Sequence, residues 1–310
     1  MLERNRGDGP GGDSTGRPQF VLAKIATRRE NAALAGTTVC AVAPKPMMMR
    51  PSEEGPASSS RSHVEAAAAT HVGFVREINE DSHAALDHLG LYVVADGMGG
   101  HACGDVASAL AVETVSGFFE ETRSSLPPLF HDVPSNALGR LIAAVKRANL
   151  RIYTESRIDP AKRGMGTTIA ALYVRRDVLC VAHVGDSRVY RYRAGALERF
   201  TDDHTLANEL ARTHSTRKIP PGTADHVLTR ALGTEPNVEV DTRIERTLPG
   251  DVVMLCSDGV WGALTPKEMA GLFAEQLAPA ALAERLVARA NEKGGRDNAT
   301  AVVLRWLGAG

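Results

Sequence analysis

Five short acidic motifs stand beside glycine, serine or asparagine: Asn79-Glu80-Asp81, Ala95-Asp96-Gly97, Gly185-Asp186-Ser187, Ser257-Asp258-Gly259 and Arg296-Asp297-Asn298. Carboxylates presented from strand ends suit hard divalent cations such as Mg²⁺ and Mn²⁺, which take oxygen ligands and keep several waters. Any one Asp-Gly pair is more often an ordinary turn, because Asp bonds its own backbone and Gly accepts positive φ. Two of the five say more. Asp96 and Asp258 follow the apolar runs LYVVA and DVVMLCS, as residues leaving a buried strand do, which places both carboxylates at the rim of a core.

The elements that must position them are legible as alternating patterns. The runs HVGFV, LYVVAD, TTIAALYV, VLCVAHV, RVYRYR, VEVDTRI, DVVMLCSD and ATAVVLRW predict strands. Apolar residues recurring at three and four predict helices from Val106 to Glu120, Asn136 to Glu155, Thr205 to Arg212, Pro266 to Leu277 and Pro279 to Asn291. Strands that succeed one another through tight connections, LYVRRDVL and YRYRAGALERF, favour antiparallel hairpins over a parallel βα array. The expected class is α+β, with two stacked antiparallel sheets flanked by helix pairs. Residues 1–65, rich in Gly, Pro, Ser and Ala with little periodicity, are expected to be a disordered low-complexity leader. Residues 66–310 are expected to form one catalytic domain.

Composition narrows the function classes. A formal net charge of -1 over 310 residues leaves no basic footprint for nucleic acid and no polybasic handle for a membrane. Four scattered cysteines, Cys40, Cys103, Cys180 and Cys256, contain no CxxC pair, so neither a zinc ribbon nor a disulfide framework is indicated. With no apolar stretch long enough to span a bilayer, the expectation is a cytoplasmic protein without nucleic-acid or membrane partners.

The ordered series VGFVREINEDS, VVADGMGGHACGDVAS, GMGTTIAAL, VAHVGDSRVYRYR, HVLTRALG, LCSDGVW and GGRDNATAVVL resembles the metal-dependent PPM/PP2C protein phosphatases, in their compact bacterial form. The likeness runs from about Thr70 to Trp306. It implies an αββα four-layer sandwich and hydrolysis of phosphoserine or phosphothreonine in proteins by a metal-activated water, without a phosphoenzyme. Two Mn²⁺ or Mg²⁺ ions are implied, with a weaker third. By this resemblance Asp96 bridges both metals, the Gly97 carbonyl serves the second, Asp258 and Asp297 complete the first, and Asp81, helped by Glu80, serves the second. Asp186 with Asp258 matches the third-metal site. Arg76 matches the phosphate-binding arginine, His101 the candidate proton donor to the leaving oxygen, and Asn298 a residue positioning a metal-bound water. The implied partners are phosphoserine and phosphothreonine proteins, with a serine/threonine kinase as counterpart, and the implied state is a monomer. His71 and Ile78 depart from the family pattern at positions that bind no metal there. The segment 203–225 occupies the place of the family's flap. Two other readings stay open on sequence: a hydrolase of small phosphate esters, and an inactive phosphoprotein-binding scaffold.

Overall fold

A computed structural model describes residues 64–98, 103–124, 133–213 and 227–307, all within the unit Ser58–Gly310. The first sheet has the order β1-β11-β10-β7-β8, formed by β1 (Val64–His71), β7 (Arg188–Arg193), β8 (Ala196–Arg199), β10 (Val252–Cys256) and β11 (Ala299–Trp306). The second has the order β2-β3-β5-β6-β9, from β2 (Asp81–Leu86), β3 (Leu91–Met98), β5 (Ile169–Arg175), β6 (Val178–Val184) and β9 (Asp241–Arg246). A two-residue strand, β4 (Gly166–Thr167), pairs the end of β3. The strand pairs are antiparallel.

Helices α1 (Gly104–Arg123) and α2 (Pro134–Ile158) cover the second sheet. The short α3 (Leu206–Arg212) follows β8, α4 (Asp258–Trp261) opens on an acidic motif, and α5 (Pro266–Ala274) with α6 (Pro279–Glu292) covers the first sheet. Side-chain alternation explains why the strand runs read as continuously apolar. Leu91, Val93 and Ala95 face α1 and α2, whereas Tyr92 and Val94, with Leu172 of β5, face the opposite sheet and pack with its Leu255 and Val302. Met254, Cys256 and Val303 face α5 and α6. Each fully buried Leu or Val contributes about 1.5–3 kcal/mol relative to exposure, so both faces of every central strand hold the sandwich together. Local signals set the helix starts: Thr265 and Glu268 form a reciprocal capping box around Pro266 at the head of α5.

Three sequence expectations shift. HVGFV is not a strand: β1 ends at His71, and residues 72–80 form a loop. The pairing partner lies far down the chain, with Ala67 opposite Val303 and His71 opposite Ala299, and four consecutive alanines gave β1 little local β propensity. Val64 and Glu65, placed in the leader by composition, begin this strand. The helix expected to reach Leu277 ends at Ala274.

Candidate metal centre

The strand ends deliver five carboxylates to one cavity of about 670 Å³, lined by Arg76, Glu80, Asp96, Gly97, Met98, Thr168, Asp186, Leu228, Asp258, Asp297 and Asn298. Asp96 leaves β3 and Asp258 begins α4 just after β10. Asp186 occupies the turn between β6 and β7, and Asp297 precedes β11. The motif glycines permit their approach. A Cβ on Gly97 would lie 2.0 Å from the Gly104 carbonyl oxygen, and one on Gly259 would lie 2.0 Å from that of Asn298. Any larger residue would push α1 away from β3, or α4 away from the turn that carries Asp297.

Hydroxyl groups fix the acids from behind. The Thr168 hydroxyl accepts the Asp96 N–H at 3.0 Å, and the Thr168 N–H and Thr167 hydroxyl both donate to the Asp96 carbonyl at 2.8 Å. Ser187 lies 2.7 Å from the Thr168 hydroxyl. Asp81 stands directly opposite Asp96 across the β2–β3 pair. Its Oδ2 accepts from Thr300 at 2.6 Å and Ser257 at 2.7 Å, whereas its buried Oδ1 has no partner. Asp81 therefore sits behind the cavity wall, and Glu80 lines it. These threonines and serines were not singled out as contributors from sequence; the available signal was a polar pair, Thr167-Thr168, at the entry to an apolar strand.

The arrangement concentrates negative charge. Burial foremost, with Asp258 and Asp297 adding repulsion, pushes the Asp81 carboxyl up to about 7 against the bonds from Thr300 and Ser257. Burial, then Asp258 and Asp203, pushes Asp186 up to about 7. Asp96 is raised well above its ordinary value by burial and by Asp81, Asp258 and Asp186. Burial also raises Glu80, against the pull of Arg76 and a bond from the Gly104 backbone. Arg76 is the single cationic side chain among the cavity's lining residues, and it donates to Asp297 Oδ2 at 2.9 Å. Five carboxylates facing one guanidinium, with an orphaned carboxylate oxygen behind them, are an oxygen-donor set that fits hard divalent cations.

Other expected site residues fall differently. His101 lies outside the described residues, as does most of the segment 203–225. The Asn298 amide is fully engaged: Oδ1 accepts from the Glu80 N–H at 2.8 Å, and Nδ2 donates to the carbonyls of Val72 and Ile78 at 2.9 and 3.0 Å. Asn298 thereby fastens the 72–80 loop, which carries Arg76 and Glu80. A second group of potential ligands, His183, His204 and Asp241, has ligand atoms within 4.8 Å of one another. Its imidazoles stack at 4.6 Å with 22° between planes, so their in-plane lone pairs do not converge on one ion. His204 Nδ1 accepts from the Gly185 N–H, its carbonyl accepts from Thr229, and Arg230 pairs with Asp241. This group ties the Asp186 turn to the strand-like base at Thr205 and Leu228.

Residues 75–294 match the family described as Protein phosphatase 2C. The chain is 35% identical over 240 residues to the serine/threonine phosphatase stp of Listeria welshimeri, covering 76% of this chain and 93% of that protein. Among solved structures, the Mycobacterium tuberculosis serine/threonine phosphatase PstP/Ppp is similar with a TM-score of 0.68 at 32% identity, over 79% of this chain and 99% of that one. The catalytic domain of PstP in complex with two manganese ions is similar with a TM-score of 0.68 at 33% identity, over 79% and 99%. With the family profile spanning most of the folded region and the acidic motifs meeting at one cavity, the chain belongs to the protein phosphatase 2C family.

Proposed function

We propose that the chain is a metal-dependent protein phosphatase acting on phosphoserine and phosphothreonine, with the region from Val64 onward as its catalytic domain. The observation that carries this reading is the convergence of Glu80, Asp96, Asp186, Asp258 and Asp297 on one cavity beside Arg76. Asp96, the Gly97 carbonyl, Asp258, Asp297 and Glu80 would hold two divalent ions, Asp81 supports them from behind, and Asp186 with Asp258 would hold a weaker third. When bound, such ions supply Lewis acidity and acidify water enough for attack at phosphorus near neutral pH.

The chain's own residues do the rest. Arg76 offers the planar fork that grips phosphoryl oxygens, and its bond to Asp297 holds it at the cavity edge. Asn298 keeps the loop bearing Arg76 and Glu80 in register. Ser187, Ser257 and Ser82 are engaged within the fold: Ser187 is bonded to Thr168, Ser257 to Asp81, and Ser82 to Ser108. His101 is the proposed donor of a proton to the departing oxygen. The substrates are phosphoproteins made by a serine/threonine kinase, and the enzyme works as a cytoplasmic monomer. No helix among the described residues is long and apolar enough to cross a membrane.

Turnover of a phosphothreonine peptide after chelation, then with Mn²⁺ or Mg²⁺ restored, tests the reading. Activity should vanish and return; undiminished turnover in excess chelator would refute it. Running a small phosphate metabolite beside the peptide separates protein phosphatase from small-ester hydrolase.

A further inference from the structure

The loop that carries Arg76 also carries an unusual load of exposed apolar surface. Phe74, Val75 and Ile78 are 70%, 66% and 55% exposed. They account for three of the ten large hydrophobic side chains that stand exposed among the described residues, and they fall within five positions of one loop. Val227, also exposed, precedes the cavity-lining Leu228 on another wall. Scattered single apolar residues on a surface carry no message, but a contiguous group beside a polar cleft marks a contact surface.

The loop is held, not loose. The Phe74 N–H donates to the Gly295 carbonyl at 2.7 Å, and the Gly73 N–H donates to His71 Nδ1 at 2.8 Å. Asn298 bonds the carbonyls of Val72 and Ile78 on either side of the apolar group. Arg76, in the middle, is tied to Asp297. The chain thus spends a buried asparagine and several backbone bonds on holding Val75 and Ile78 out in water. A fastened platform of this kind binds with little ordering cost, because its shape is set before the partner arrives.

Its position identifies the partner. Arg76 lines the cavity, and Val75 and Ile78 stand exposed one and two positions from it on the same loop, within reach of the residues that flank a phosphate held at Arg76. We propose that this loop is a docking surface for the protein substrate itself, taking bulky apolar side chains next to the phosphorylated residue and so setting sequence preference. The proposal rests on the phosphoprotein reading of the same cavity. A contact of this kind is made alike before and during phosphoryl transfer, so it acts on KM and leaves kcat near its original value.

The test compares two phosphothreonine peptides differing only in the residues flanking phosphothreonine, leucine in one and serine in the other, with wild type, Val75→Ser, Ile78→Ser and the double variant. Phe74 is left intact because its ring also packs edge-on against His71 at 5.8 Å. Wild type should favour the leucine peptide by roughly tenfold in kcat/KM, the scale of burying part of one or two aliphatic side chains. The double variant should bring the ratio close to one, chiefly through KM, and a ratio is insensitive to loss of folded protein. Equal rates for both peptides in wild type, or a preference the variants retain, would overturn the docking surface while sparing the phosphatase reading. Hydrolysis of neither peptide would overturn both. A dimer present in wild type and lost in the double variant would assign the patch to a second copy of the chain and likewise overturn it.

Discussion

Within β3 and at the end of β10 the chain changes character over a single residue. From Leu91 to Ala95, and from Val252 to Cys256, every side chain is buried among apolar neighbours on both faces. One residue on in β3, Asp96 turns a carboxylate into a cavity where other acids already crowd, and two residues after Cys256 Asp258 does the same. These strand segments bury apolar side chains on both faces; the cavity is a region where the fold supplies repulsion and leaves a charge to be neutralised. The stable region exists in large part to hold the unstable one in place, which is how strained sites persist in folded proteins.

The sharpest way to break this comparison is to change one residue on each side of the boundary. Asp96→Asn should reduce metal-dependent turnover of a phosphothreonine peptide by at least about a thousandfold, since electrostatic help of several kcal/mol at the reacting centre is lost. Its melting temperature in chelator should match or exceed wild type, because a buried, repelled carboxylate has gone. A folded Asp96→Asn enzyme with wild-type rates would contradict the division of labour. Leu255→Ala, on the sheet-to-sheet interface, should do the opposite: about 2–5 kcal/mol lost from unfolding free energy, with kcat per folded molecule retained. Denaturant unfolding with parallel rate measurements distinguishes the two.

How far this boundary was visible in the sequence depended on whether the signal was local. Asp96, Asp258 and the hairpins around Arg175–Val178 and Arg193–Ala196 were legible because apolar runs, turns and acids lie within a few residues of each other. The hydrogen-bond partners of Asp81 and Asn298 were not. Asp81 Oδ2 is held by Ser257 and Thr300, which lie 176 and 219 residues along the chain, and Asn298 reaches back 218 residues to the Glu80 N–H. β1 was displaced in the reading for the same reason, its pairing with β11 having no local counterpart. Long-range partners chosen by the fold leave no spacing to read.

Smaller effects sharpen the picture. Arg76→Ala should raise KM for phosphopeptide by about tenfold with a lesser change in kcat, since its grip on phosphate is shared by ground and transition states; steady-state kinetics over a range of peptide concentrations checks it. The smallest effect concerns acidity. Asp186, with its folded pKa near 7 and an unfolded value near 3.9, binds its proton more tightly when folded. Its contribution to stability is therefore present at low pH and is lost as pH rises from about 4 to about 7. His204, pushed down to about 4 mainly by burial and also by His183, works in the other sense, losing stability as pH falls below about 6.5. Comparing wild type with Asp186→Asn in chelator cancels the histidine. The variant should be the more stable of the two at pH 8, with the gap closing toward pH 4. A gap that stays constant across that range would show that the Asp186 carboxyl is not under the strain described.

The central claim is that the acids at the strand ends form a divalent-metal centre, and manganese located by anomalous diffraction from crystals grown with the ion tests it most directly. Two strong peaks should lie in the cavity lined by Glu80, Asp96, Asp258 and Asp297. A cavity without manganese, or manganese held instead by His183, His204 and Asp241, would contradict the account.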